Sequence, residues 1–116
     1  MMEQQESTRQ LKVGRQLQRD LAEILQQQGM SAYNGAMITV TSVRVSPDLA
    51  LAKVRVSIFP SNQSVEVLEA LHKQVKGIRG ELGRRVAKQL RIVPELVFQI
   101  DDSLDYAARI DQLLTQ

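Results

Sequence analysis

The chain has 116 residues, with 15 lysines and arginines against 13 aspartates and glutamates, one histidine and no cysteine. That length suits a single domain over residues 1–116 that buries roughly two-thirds of its extended-chain surface. The missing thiols exclude disulfides and cysteine metal sites and fit a reducing, cytoplasmic setting. No apolar run reaches membrane-spanning length, so no membrane partner is expected, and the opening MMEQQESTRQ lacks the apolar segment of a signal peptide. The net charge of +2 hides a segregation: basic residues dominate 9–19 and 73–91, whereas Asp101, Asp102, Asp105 and Asp111 crowd the end. A field with one positive side most commonly meets nucleic acid.

Residues 1–7 are expected to be disordered. Residues 8–28 read as a helix whose Val13, Leu17, Leu21 and Ile24 share a face, with Leu25 beside them, and Gly29 is its natural stop. Lys12, Arg15 and Arg19, at i, i+3 and i+7, make a basic stripe on the opposite face. Taken alone, such a stripe is better explained by ordinary solubility than by a ligand. Asn34-Gly35 marks a turn, and residues 37–46 read as a strand whose apolar phase slips near Thr41-Ser42, predicting a bulge. Ser46-Pro47-Asp48 turns the chain into a second strand, 49–59, with Ala50, Ala52, Val54, Val56 and Ile58 on one side and Lys53, Arg55 and Ser57 on the other. The hairpin so formed carries Lys53 and Arg55, joined by Arg44, on its solvent face.

Pro60 ends that strand, and Ser61 or Asn62 is placed to cap a helix through Val65, Leu68, Leu71 and Val75. Gly77 should break or kink it, since glycine costs about 1 kcal/mol against alanine in a helix interior. A further helix from Ile78 puts Ile78, Leu82, Val86 and Leu90 on one face and Arg84, Lys88 and Arg91 on the other, until Val93-Pro94 stops it. Residues 96–100 form a third strand, and Asp102 or Ser103 caps a last helix holding Leu104, Ile110, Leu113 and Leu114. The order α-β-β-α-α-β-α has too few helices to cover two faces. It predicts an α+β layer, a three-stranded sheet with helices mainly on one face.

Little here suits catalysis, and neither an enzyme nor a cofactor is expected. His72 has no cysteine or histidine partner and reads as structural. Asp101, Asp102 and Asp105 could hold Mg²⁺, but at a helix start they are better explained as caps meeting the positive end of the dipole, so no metal is assigned. The stretch 73–91 is the sharper case, with seven basic residues (Lys73, Lys76, Arg79, Arg84, Arg85, Lys88 and Arg91) against one acid, Glu81. Within it, Gly77-Ile78-Arg79-Gly80 spells the G-x-x-G with which KH domains clamp a nucleic-acid backbone. Glycine permits close approach, and a following helix N-terminus offers amides to phosphate. So short a motif often matches by chance; after a β-β-α unit and among Lys76, Arg79, Arg84 and Arg85 it points to RNA. Phe59 and Phe98 read as core, so base stacking on the sheet is not expected. Binding should rest on phosphate contacts and shape, with steep salt dependence.

Several blocks, in order and at suitable spacing, carry a resemblance over nearly the whole chain. They are Arg9 with the first helix, VRVSPDL (43–49), AKVRVS (52–57), LRIVPELVF (90–98), and Asp101-Asp102-Ser103 leading to RIDQLL (109–114). Together they resemble the bacterial ribosome-binding factor A family. The resemblance implies a type II KH-like fold of order α-β-β-α-α-β with a C-terminal helix. It also implies a non-enzymatic role: binding free 30S subunits or their precursors and supporting 5′-end processing of 16S rRNA. The family typically carries an Ala-x-Gly kink in place of G-x-x-G; here the matching triplet is Val75-Lys76-Gly77, so only Gly77 carries over. The chain also stops at Gln116, without the longer tail of some members. Residues 77–80 then act either as a clamp or as a kinked helix, with a kink at Gly77 preferred.

The expectation is a monomeric assembly factor whose Lys73, Lys76, Arg79, Arg84, Arg85, Lys88 and Arg91 contact rRNA phosphates. Lys12, Arg15, Arg19, Arg44, Lys53 and Arg55 are auxiliary contacts that cannot all share one surface. The rival is a protein-interaction module that docks an acidic protein through an exposed strand edge and the basic helix. A Mg²⁺-dependent nuclease built on the aspartates comes third.

Overall fold

A computed structural model describes residues 6–103. Helix α1 (Thr8–Gln28) starts at a reciprocal cap: the Gln10 amide donates to the Ser7 hydroxyl oxygen, and the Ser7 amide donates to Gln10 Oε1. It stops at Gly29, whose φ of 80° costs glycine nothing. A short 3-10 turn, Met30–Tyr33, leads into strand β1 (Met37–Val45), followed by strand β2 (Leu51–Phe59). In the turn between them the Asp48 carboxylate accepts the Ser46 hydroxyl and the Ala50 amide, which hold its pKa below the ordinary carboxylate value. Helices α2 (Ser64–Lys73) and α3 (Val75–Val86) and strand β3 (Glu95–Ile100) complete the α-β-β-α-α-β order. The helix expected from Asp102 onward falls outside the described residues. Among those described, no helix is long and apolar enough to cross a membrane.

The sheet runs β1-β2-β3, antiparallel between the first pair and parallel between the second. Its register slips between Val40 and Ser42, where the apolar phase predicted a bulge. The extra residue, Thr41, switches the inward parity, so that Val40 before it and Val45 after it are both buried. The helices cover one face. Leu17 and Leu21 of α1, Val67 and Leu71 of α2, and Ile78, Leu82 and Val86 of α3 close over Val54, Val56 and Phe98. The other face is open, with Met37 opposite Phe59, Thr39 opposite Ser57 and Arg44 opposite Lys53.

Five expectations need correction. The break between α2 and α3 lies at Gln74, which leaves helical geometry at φ −97° and ψ 5°, not at Gly77. The Gln74 amide bonds back to Ala70 and Leu71, and its side chain meets the Tyr33 hydroxyl at 3.3 Å, which holds the break there. Gly77 and Gly80 sit inside α3, so the G-x-x-G is helical and not a loop. Neither Ser61 nor Asn62 caps α2, because residues 61–63 form a 3-10 turn and the helix begins at Ser64 without a side-chain cap. Helix α3 ends at Val86, short of Leu90; residues 87–89 turn, and Leu90 still packs against the core from there. Phe59 is not core: it shares strand parity with Lys53, Arg55 and Ser57 and is 73% exposed.

Candidate nucleic-acid interface

The basic residues fall on two opposite surfaces. On the helical layer, Lys12, Arg15 and Arg19 project from α1 because Leu17, Leu21, Ile24 and Leu25 claim its inner face. Lys76, Gly80 and Arg84 recur every fourth residue along the exposed face of α3, opposite the Ile78–Leu82–Val86 stripe. Lys73 ends α2, and Lys88 and Arg91 extend into the segment after α3, all exposed. Helix α1 and the segment after α3 meet on one cavity of about 870 Å³, where Arg9, Lys12, Arg15 and Arg19 face Gln89 and Leu90. Arg44, Lys53 and Arg55 lie instead on the open face of the sheet.

Two of the seven basic residues in 73–91 have partners on other elements. Half-buried Arg79 donates from Nε to the Pro94 carbonyl (3.1 Å) and from Nη2 to the Val93 carbonyl (2.9 Å), fastening residues 93–94 against α3. Gly83 is what lets that segment close in, since a Cβ there would lie 3.1 Å from Val93 Cγ2. Arg85 crosses to α1, pairing with Glu23 at 2.5 Å and Asp20 at 3.9 Å and bonding Gln27 at 3.3 Å. Among the described residues its Nε has no hydrogen-bond partner, but it sits 3.9 Å from Glu81 Oε1, close enough for charge alone. Lys73, Lys76, Arg84, Lys88 and Arg91 stay exposed. Arg84 bonds Glu81 one turn back and thereby depresses the Glu81 pKa, first through the hydrogen bond and then through its charge.

On the open face two of the three cations have carboxylates close by. Arg44 lies 3.6 Å from Glu6, and Arg55 lies 3.6 Å from Asp101. Hydrogen bonds from the Ser103 side chain, the Thr41 hydroxyl at 2.7 Å and the Ser103 amide hold the Asp101 pKa at about 2, with a further pull from Arg55. Like charges stand opposite each other at Arg44 and Lys53, but Glu6, Asp101 and the exposed Glu95 of β3 offset the three cations of the face. The helical layer is therefore the cationic surface.

Sequence reasoning missed four residues of that layer. Arg9 joins the cavity wall, and its spacing to Lys12 and Arg19 was open to view. Gln10, Gly14 and Gln18 fix where α1 stands, and so where its cations point. Gln10 Nε2 donates to the Val45 carbonyl at 2.8 Å, and Gln18 Nε2 reaches the Val40 and Thr41 carbonyls at 3.3 Å each. Between them, a Cβ on Gly14 would stand 2.8 Å from the Val43 oxygen. The i, i+4, i+8 spacing was the available signal.

A three-stranded sheet covered on one face by α-β-β-α-α-β connectivity, with a cationic helical layer, defines a type II KH-like domain. The sequence model of ribosome-binding factor A matches residues 9–114. A ribosome-binding factor A from Flavobacterium johnsoniae is 46% identical over 112 residues, covering 94% of this chain and 85% of the relative. The crystal structure of ribosome-binding factor A from Thermus thermophilus superimposes with a TM-score of 0.67 at 30% identity, covering 78% of this chain and 94% of that one. Coordinates of the Thermus thermophilus factor fitted into the cryo-EM map of a 30S–RbfA complex align with a TM-score of 0.62 at 31% identity, over 76% and 90% of the two chains. The chain belongs to the ribosome-binding factor A family.

Proposed function

We propose that this chain is a cytoplasmic, non-enzymatic assembly factor that binds the free small ribosomal subunit or its precursors as a monomeric, single KH-like domain. It would support 16S rRNA 5′-end processing and late maturation by recognising rRNA phosphates and shape. The observation that carries the reading is the exposed cationic helical layer of a ribosome-binding factor A family member, with Lys12, Arg15, Arg19, Lys76, Arg84 and Lys88 as its principal cations. Lys73 and Arg91 extend it. Arg79 and Arg85 serve it by holding the 93–94 segment and α1 in place. Gly77 and Gly80 contribute an uncluttered helix surface, since a Cβ at either would meet nothing within 4 Å. Arg44, Lys53 and Arg55, on the far face, take no part in the same contact.

The deciding experiment is co-sedimentation of the Arg84→Glu/Lys88→Glu double variant with purified 30S subunits. Both side chains are exposed, so each change should alter stability by no more than about 0.5 kcal/mol. Binding should be lost at a salt concentration where the wild type still co-sediments, because each neutralised phosphate contact contributes to a counterion-release term. Unimpaired binding would remove α3 from the interface.

A further inference from the structure

Strand β1 is a sheet edge, and α1 closes only part of it. In an antiparallel ladder each residue's N–H and C=O point to the same side, and the side alternates along the strand. After the bulge the outward carbonyls are those of Val45 and Val43, met by Gln10 and by the bare backbone of Gly14. Before the bulge the parity shifts, and the outward carbonyl is that of Val40, met by Gln18. The same alternation puts both main-chain polar groups of Ile38 on the outer edge.

Helix and strand keep step here, since four helical residues rise about 6 Å and two strand residues about 6.7 Å. The row that supplies Gln10, Gly14 and Gln18 therefore reaches Ile38 at Ala22. A methyl group has nothing to donate. The outer groups of Ile38 make no hydrogen bond among the described residues, and a groove of about 490 Å³ opens at this point. Its apolar wall is Leu25, Tyr33, Ala36 and Val40. Ala22 and Val40 also line the basic cavity, so the groove continues to Arg15 and Arg19. Among the described residues lining either hollow, none is acidic.

We propose that this groove takes an extended acidic peptide of a partner protein as a short fourth strand. The peptide main chain pairs with the free edge at Ile38, as in strand addition. One apolar side chain enters between Leu25, Tyr33 and Ala36. Carboxylates one to three residues further on reach Arg15 and Arg19, the charge complementarity that fixes direction and register. A main-chain donor and acceptor side by side over an apolar wall favour a peptide here over RNA, whose phosphates can accept from the amide but have nothing to donate to the carbonyl. The site goes beyond the ribosomal reading but shares two arginines with it, so peptide and rRNA would compete.

The test uses the full ¹⁵N-labelled chain and a panel of synthetic peptides in which alternating Thr and Val flank a central Val, Ile, Leu or Phe, followed by Asp-Glu-Asp. At least one should slow exchange of the Ile38 amide, and exchanging its acidic tail for lysines should weaken binding about tenfold or more. Ala22→Gln, at an exposed helical position, supplies the missing side-chain amide; it should close the edge and weaken binding about tenfold while circular dichroism stays that of the wild type. Failure of every peptide to protect Ile38 at millimolar concentration, or wild-type affinity in Ala22→Gln, overturns the proposal. Protection of Ile38 by oligouridylate RNA and by no peptide also overturns it and reassigns the groove to nucleic acid.

Discussion

Gly14 is where α1 touches the sheet most closely, and Gly14→Ala measures how much that approach matters. The added Cβ would lie 2.8 Å from the Val43 carbonyl oxygen, whereas carbon–oxygen contacts of this kind settle at about 3.3–3.6 Å. Helix α1 must lift by about half an ångström, and both its tethers, Gln10 to Val45 and Gln18 to Val40, flank the point of contact. Overpacking costs about 1–3 kcal/mol, and weakening one of the tethers adds about 1 kcal/mol. Replacing a helical glycine returns about 1 kcal/mol. The net expectation is a loss of about 1–3 kcal/mol, seen as a lowered midpoint in urea denaturation followed by circular dichroism. Gly80→Ala is the control: its Cβ meets nothing within 4 Å, so it should gain about 0.4–1 kcal/mol. If Gly14→Ala is as stable as the wild type, the close approach has been misjudged. If both variants shift the same way, helix propensity alone is at work.

Arg79→Ala removes two hydrogen bonds to the Val93 and Pro94 carbonyls. It should cost about 1–3 kcal/mol and speed proteolysis after Arg91, and Arg79→Lys should not rescue it because an ammonium lacks the two-pronged fork; stability within 0.5 kcal/mol of the wild type, roughly the level of a neutral surface change, would refute the fastening role. Asp101 has a folded pKa of about 2 against an ordinary 3.8, so its stabilising contribution is present above the ordinary value and disappears as pH falls through about 2. Carbon-detected NMR titration should find that low midpoint in the wild type and a raised one in Thr41→Val, and an unchanged midpoint would sink the role given to the Thr41 hydroxyl.

How much of this was legible in the sequence depended on whether a signal was local. The α1 span, the bulge at Thr41 and the inward set of β2 from Ala52 onward follow from periodicity and terminal residues, which act within a few positions; Ala50, expected inward with them, lies exposed ahead of the strand. The α2–α3 break was misplaced because glycine was taken as the breaker, although it costs only about 1 kcal/mol in a helix. A long-range contact decided the matter, Tyr33 meeting Gln74 across 41 positions. Phe59 was misread by composition when parity with Lys53 and Arg55 already placed it outward. The basic stretch 73–91 was legible as a block. Its division into exposed and internally paired members was not, because the partners of Arg79 and Arg85 lie on other elements.

That division explains how a chain with a net charge of only +2 presents a cationic layer. The acids of the two facing helices, Asp20 and Glu23 on α1 and Glu81 on α3, converge on Arg85. Asp20 is 8% exposed and also accepts the Gln16 amide at 2.9 Å, so little of its charge reaches solvent. One half-buried arginine thus offsets carboxylates that would otherwise face an approaching polyanion, and Arg15, Arg19 and Lys88 around it are left to set the sign of the field. Arg85 would serve the proposed interface without lying on it.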